Sequence, residues 1–226
     1  AFDGRLSAIQ SDGYIDRGCS DLKSFYVSGG YFGEKTILKA IVTSGWEQTY
    51  QAWNGTPKDS LATNRTYNPS GEMYDDNGTI MGYYDNETDN YRQDYYQLHL
   101  VQQLNKNLNL TSALFYTKGK GFYESYKNKD SYSDYGFEDV IIGEDTLTET
   151  KLVNQKWLDN DFYGLNVALN YSRNKLNATL GGGWNSYEGD HYGYIIWAEN
   201  SSNSFIDKPW YENTGKKTDY NVYAKA

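Results

Sequence analysis

Asp161-Phe162-Tyr163-Gly164-Leu165-Asn166-Val167-Ala168-Leu169-Asn170-Tyr171-Ser172 runs into Arg173-Asn174-Lys175 and then into Leu176. Leu165, Val167, Leu169 and Tyr171 alternate with Gly164, Asn166, Ala168 and Asn170. Successive side chains of a strand point to opposite faces, so this period of two predicts a strand with one apolar and one polar face. The Asn-containing link that follows suits a tight hairpin, because Asn tolerates positive φ. A second alternating segment then begins at once.

Working outward, the same arrangement recurs. Gly33-Glu34-Lys35 and Asn105-Lys106-Asn107 are short links of the same kind, each between alternating segments. Tyr96, Leu98, Leu100 and Leu104 oppose Tyr95, Gln97, His99 and Gln103; Leu108, Leu110 and Leu114 oppose Asn109, Thr111 and Ala113. Eight strands are predicted: Gly4–Ser11, Leu22–Phe32, Thr36–Gln48, Asp94–Leu104, Leu108–Lys118, Asp161–Ser172, Leu176–Tyr187 and a last one after Lys216. The first two join through Asp12–Asp21. Long polar connections, Thr49–Arg92 and Gly119–Asn160, link the far ends of the others.

Short links on one side and long ones on the other give the layout of an antiparallel up-and-down transmembrane β-barrel, with short periplasmic turns and long extracellular loops. The polar faces carry Asn, Gln, Thr, Gly and Ala with few charges, which suits the wall of a wide, wet lumen. A soluble sandwich turns a charged face to water instead.

Composition narrows the partners. The 226 residues have a mean hydropathy of -0.82 and no apolar run long enough for a membrane helix. A barrel strand needs only about 9–11 alternating residues, so a barrel escapes that test. Net charge is -9, which argues against nucleic acid, whose phosphates demand a cationic surface. Aromatic residues reach 17%, with 24 Tyr and 6 Trp. Such side chains, apolar with a polar tip, concentrate at membrane–water interfaces. Trp46, Tyr50, Tyr96, Tyr116, Tyr163 and Trp184 fall at the long-loop ends of their strands and are expected to form the interface girdle.

No pattern for catalysis or metal binding emerges. His99 and His191 lack zinc spacing, no G-x-S-x-G elbow is present, and Cys19 is alone. The runs Asp75–Gly78 and Asp85–Asp89 lack EF-hand spacing and read as solvated turns. No catalytic residue, metal or cofactor is therefore assigned. The first long connection holds Tyr67, Asn68, Pro69, Tyr74, Tyr83, Tyr84 and Tyr91. This set suits stacking and hydrogen bonding with a bulky ligand, or equally the packing of the loop onto itself.

Three segments carry a family resemblance. Ser11-Asp12-Gly13-Tyr14-Ile15-Asp16-Arg17 with Ser20–Ser24 is one; Thr49–Gly55 with Asn64-Arg65-Thr66-Tyr67-Asn68-Pro69 is the second; Tyr116–Glu124 is the third. They resemble TonB-dependent outer-membrane receptors of the Bacteroidetes type. The resemblance implies a 22-stranded barrel filled by a plug, of which residues 1–226 would be a central portion of about eight strands. The plug, the TonB box and a closing strand are not seen, and both ends read as cut. Cys19 stands where a small residue such as Ala is more usual.

Receptors of this kind, in the outer membrane of Gram-negative bacteria, take up iron–siderophore complexes, haem, cobalamin or glycans with energy supplied through TonB. The barrel performs no covalent chemistry. The implied partners are outer-membrane lipid, the transported ligand and TonB. Trp53, Tyr67, Tyr74 and Tyr83 are the expected ligand contacts. The alternative carried forward is a secreted soluble β-sandwich that binds glycans.

Overall fold

The computed structural model describes residues 1–206 and 208–226. Eight long strands form one antiparallel sheet: β1 (Phe2–Ser11), β2 (Ser20–Phe32), β3 (Thr36–Tyr50), β6 (Thr88–Asn105), β7 (Leu108–Ser131), β10 (Glu149–Arg173), β11 (Leu176–Ala198) and β12 (Tyr211–Lys225). Each pairs with its sequence neighbours among them, so the sheet is an up-and-down meander. Two hairpins lie in the long connections, β4 (Glu72–Tyr74) with β5 (Ile80–Tyr83) and β8 (Val140–Ile142) with β9 (Asp145–Leu147). The expected strand count and all-β class hold. Among the described residues no second large sheet faces the first, which overturns the sandwich alternative.

The strands are longer than their alternation indicated. β7 continues to Ser131 rather than ending at Lys118, β10 begins at Glu149 rather than Asp161, and β11 reaches Ala198 rather than Tyr187. The segment Gly119–Asn160, expected as a loop, is therefore mostly ladder. Gly119 pairs with Asn160 and the register runs on to Lys127 opposite Leu152. Glycines and charges break the apolar rhythm there, but backbone hydrogen bonds need no apolar side chain. What remains as a true connection is residues 132–148, which contain a 3-10 turn, Tyr132–Tyr135, and the β8–β9 hairpin. The eighth strand likewise starts earlier than expected, at Tyr211.

The three tight turns use different devices. Asn174 adopts φ 54°, as its residue type allows. At Gly33 the amide donates instead to the Thr36 carbonyl at 2.8 Å, and the Asn105 side chain accepts the Asn107 amide at 2.9 Å. The glycine run Gly181-Gly182-Gly183 serves close approach: a Cβ on Gly183 would lie 2.4 Å from the Asn166 side chain, and one on Gly182 2.6 Å from the Asn221 carbonyl.

Directly paired residues share a face. One face reads Val42–Tyr96–Tyr116–Tyr163 across four strands, then Ala40–Leu98–Leu114–Leu165–Trp184–Tyr220 one row on, then Leu38–Leu100–Ser112–Val167–Gly182–Val222. The other reads Ile41–Gln97–Phe115–Gly164–Asn185 and Lys39–His99–Ala113–Asn166–Gly183–Asn221. The apolar face is open: Leu98, Leu114, Leu180 and Val222 are all exposed. The buried apolar residues Tyr50, Tyr132, Tyr135, Leu152, Val153 and Ile195 all lie beyond it, at the long-connection end. Tyr135, Leu152 and Ile195 form one core cluster, flanked by Phe137, Ala198 and Trp210.

Candidate ligand-capture face

On the polar face, just below the long connections, one row runs Ser24–Gly45–Gln93–Gly119–Asn160–Gly189. Its glycines leave room for tyrosines. A Cβ on Gly119 would lie 2.0 Å from the Tyr91 hydroxyl, and one on Gly189 2.3 Å from that of Tyr187. The Tyr187 hydroxyl donates to Asn160 Oδ1 at 2.8 Å. Beside this row the wall opens into a recess of about 480 Å³ lined by Ser7, Ile9, Ser24, Thr43, Tyr91 and Gln93. Its size and mixed lining fall in the range of small-molecule sites.

Above the wall, residues 51–87 are tied down by a polar hub. The Tyr67 and Tyr74 hydroxyls both donate to the buried Glu72 carboxylate. That bond holds each phenol's proton and pushes its pKa up to about 12. Tyr83 pairs with Glu72 across the small hairpin. Over the Tyr83 ring, 3.5 Å from its centroid, lies the Arg17 guanidinium. Arg17 comes from the β1–β2 connection and donates to the carbonyls of Asn68 and, at 3.3 Å, Ser70. It sits at φ 61°, an uncommon conformation for a residue with a Cβ. Asn68, fully buried, donates to the carbonyls of Gln51 at 2.9 Å and Asp16 at 3.1 Å.

A second set of bonds anchors this loop to the strands. Gln51 Nε2 donates to the Glu124 carbonyl at 2.8 Å. The Glu124 carboxylate accepts the Tyr84 hydroxyl at 2.5 Å, Asn86 at 2.6 Å and Gln155 at 2.6 Å. Burial first, and that bond second, push the Tyr84 phenol up. Burial also raises Glu87, whose Oε2 accepts the Tyr126 amide at 2.8 Å. At the hairpin tip Asp75 Oδ1 accepts the amides of Asn77 and Thr79, so that acidic run is a turn.

Of the four expected ligand contacts, Tyr67, Tyr74 and Tyr83 converge on Glu72, and Trp53 stands apart. Trp53 is 58% exposed and meets Tyr123 edge-on at 5.3 Å. The hydroxyls of Tyr67 and Tyr74 are occupied within the loop, which favours the packing role for these two. Glu72 has no signal in the sequence. Arg17, Asn68 and Gln51 fall inside the segments that carry the family resemblance, and Asn68 also belongs to the loop set expected to suit a bulky ligand.

Among the expected girdle residues, Tyr96, Tyr116 and Tyr163 form one row on the apolar face. Tyr96 and Tyr116 stack at 5.9 Å, and Tyr163 meets Trp184 edge-on at 5.8 Å. Trp46 is on the same face two rows nearer the long connections. Tyr50 departs from the expectation. It is 6% exposed, with its hydroxyl donating to the Tyr84 carbonyl at 2.8 Å and that of Ser70 at 3.2 Å. It braces the loop instead of facing outward.

No known family model and no curated protein matches the chain. Solved structures do. The ferric preacinetobactin receptor BauA of Acinetobacter baumannii superposes with a TM-score of 0.57 at 10% identity, over 99% of this chain and 34% of that one. The ferric-catecholate import receptor Fiu of E. coli K12 gives 0.58 at 14% identity in its open form, over 99% of this chain and 37% of that one. Its closed form gives 0.58 at 13%, over 99% and 34%. This chain thus spans about a third of each. At such identities the likeness is one of fold: an antiparallel up-and-down sheet that matches about a third of each receptor's chain.

Proposed function

We propose that residues 1–226 form a central part of the barrel wall of a TonB-dependent outer-membrane receptor, of the Bacteroidetes type suggested by the three sequence segments. In this reading a plug, a TonB box and further strands belong to the same parent protein. The observation that carries it is the split of one continuous sheet into an open apolar face and an amide-rich polar face. Backbone groups inside a bilayer must be satisfied internally, so a sheet that spans it closes into a barrel. The apolar face then meets lipid, with Tyr96, Tyr116, Tyr163 and Trp184 at the interface, and the polar face lines the lumen.

The parent captures a scarce, bulky ligand at the extracellular end and imports it with energy from TonB. Iron–siderophore complexes lead the list because BauA is a ferric preacinetobactin receptor and Fiu a ferric-catecholate import receptor; haem, cobalamin and glycans share the required size. Trp53, the ring faces around Glu72 and the recess beside Tyr91 are the contacts this assigns. Circular dichroism and sedimentation of the chain with and without detergent test the reading. Strand signal that depends on detergent or lipid supports it, and a stable monomeric β-spectrum in plain buffer overturns it.

A further inference from the structure

The cations on the two faces of this wall are matched differently. On the apolar side, Lys23, Arg92, Lys118, Lys120 and Lys216 each meet a carboxylate, at 2.6 to 3.1 Å. Lys156, on the polar side, has no carboxylate within ion-pair distance among the described residues. From the short turns up to its own row it is the one Lys or Arg that β6, β7, β10 and β11 turn to that face.

That row reads Thr49–Asp89–Tyr123–Lys156–Gly193–Tyr211. On β7 it stands seven residues beyond Tyr116, about 23 Å along the strand, at the end of the long connections. Lys156 is half-buried there, with rings on both sides. Its Nζ is 5.8 Å from the centroid of Tyr123, which Trp53 meets edge-on at 5.3 Å. On the other side Gly193 leaves room for two more rings: a Cβ there would lie 2.4 Å from Trp210 and 2.5 Å from Tyr211. Trp210 is held in place, its amide donating to the Gly193 carbonyl at 2.9 Å and its ring meeting Tyr135 at 5.1 Å.

Cation–π contact reaches to about 6 Å, so the Tyr123 ring engages this ammonium only at the limit and leaves its N–H groups for another acceptor. The surroundings narrow what that acceptor is. Phosphates and multiply charged chelates call for several donors, often the fork of an Arg. Here a single ammonium shares its row with Asp89, two strands away and about 10 Å distant. One positive charge beside that carboxylate matches a single carboxylate of a ligand. The flanking rings suit a flat ring attached to it, since aromatic faces favour offset or edge-on stacking.

We infer that Lys156, between Tyr123 with Trp53 and Trp210 with Tyr211, binds the carboxylate of a ring-bearing ligand at the mouth of the lumen. This site rests on the barrel reading and names a chemical group that the captured ligand carries.

The test uses the full-length receptor that contains this chain, in detergent, titrated with benzoate and with benzamide and followed by saturation-transfer NMR. The two probes share a ring and differ in charge. The wild type is expected to bind benzoate about tenfold more tightly, the difference that a charge-assisted hydrogen bond supplies. Lys156→Gln should bring the two probes level, and Lys156→Arg should keep the preference. Trp53→Ala should weaken both probes alike, whereas Lys39→Gln, lower on the same face, leaves both unchanged. Equal binding of the two probes by the wild type overturns the inference, as does a preference that survives in Lys156→Gln. Phenyl phosphate binding more tightly than benzoate overturns the choice of carboxylate. A protein that sediments as a stable monomer in plain buffer overturns the barrel reading itself, while a detergent-dependent receptor without the preference overturns this site alone.

Discussion

The lower and upper parts of this sheet are stabilised by different means. Between the short turns and the Tyr96–Tyr116–Tyr163 row the wall is one side chain thick, with its large apolar residues exposed. It contains ladder hydrogen bonds and little packing of its own. Above that row the strands carry a buried cluster around Leu152, two carboxylate-centred hubs and a loop strapped across them. The lower part relies on the surrounding medium to cover its apolar face, whereas the upper part supplies its own core. That division is expected of a wall half in lipid and half in water.

Truncating Leu152 tests the upper part most severely. Leu152→Ala removes a side chain that is 1% exposed, and core truncations of this kind cost about 2–5 kcal/mol. Denaturant unfolding should register this loss equally in detergent and in lipid. For the lower part, Leu100→Arg places a charge in the middle of the apolar face and should cost about 2–4 kcal/mol in a bilayer. Gln97→Arg on the polar face of the same strand should cost close to nothing. Equal penalties for the two would erase the distinction between the faces.

The loop strap offers finer tests. Arg17→Ala removes charged hydrogen bonds to two carbonyls, worth about 1.5–3 kcal/mol, along with the stacking on Tyr83. Its expected result is faster proteolysis within residues 51–87 while the barrel strands stay protected. Arg17→Gly, which relieves the positive φ, should recover only a small part of that loss.

The smallest effect is on pH dependence. The phenols of Tyr67 and Tyr74 have folded pKa values of about 12 against an ordinary 10.0, so the folded hub holds their protons longer. Their contribution is complete below pH 10 and is lost as pH rises towards 12. Glu72→Gln should bring phenolate absorbance in at lower pH. An unchanged titration would mean that Glu72 does not govern these phenols.

Much of this was legible in residue order, though unevenly. Leu165, Val167, Leu169 and Tyr171 announce their face locally, because a period of two needs no distant partner. In Tyr116–Tyr126 the alternation passes from apolar against polar to Lys120, Phe122 and Glu124 against Gly119, Gly121 and Tyr123. Hydropathy alone reads that as a loop, and only the paired backbone of β10 reveals a strand. Tyr50 looked like Trp46, a ring near a strand end; a carbonyl from residue 84 decides that one is a brace and the other is exposed. The convergence of Tyr67, Tyr74 and Tyr83 had no signature beyond tyrosine abundance, since Glu72 resembles any other acidic loop residue until its partners are known.

By itself the sequence determined the number of long strands, their order and the chemistry of their two faces, because alternation and tight turns are properties of neighbouring residues. Tertiary structure alone decided how far the strands rise, which loop residues are buried, and which rings flank Lys156. Those features join residues far apart in the chain, Arg17 with Ser70 and Gln51 with Glu124, and Tyr123 with Tyr211 across a single row. No local pattern encodes such meetings. They depend on the register of the ladder, which carries each side chain to a height and a face that only its partners fix.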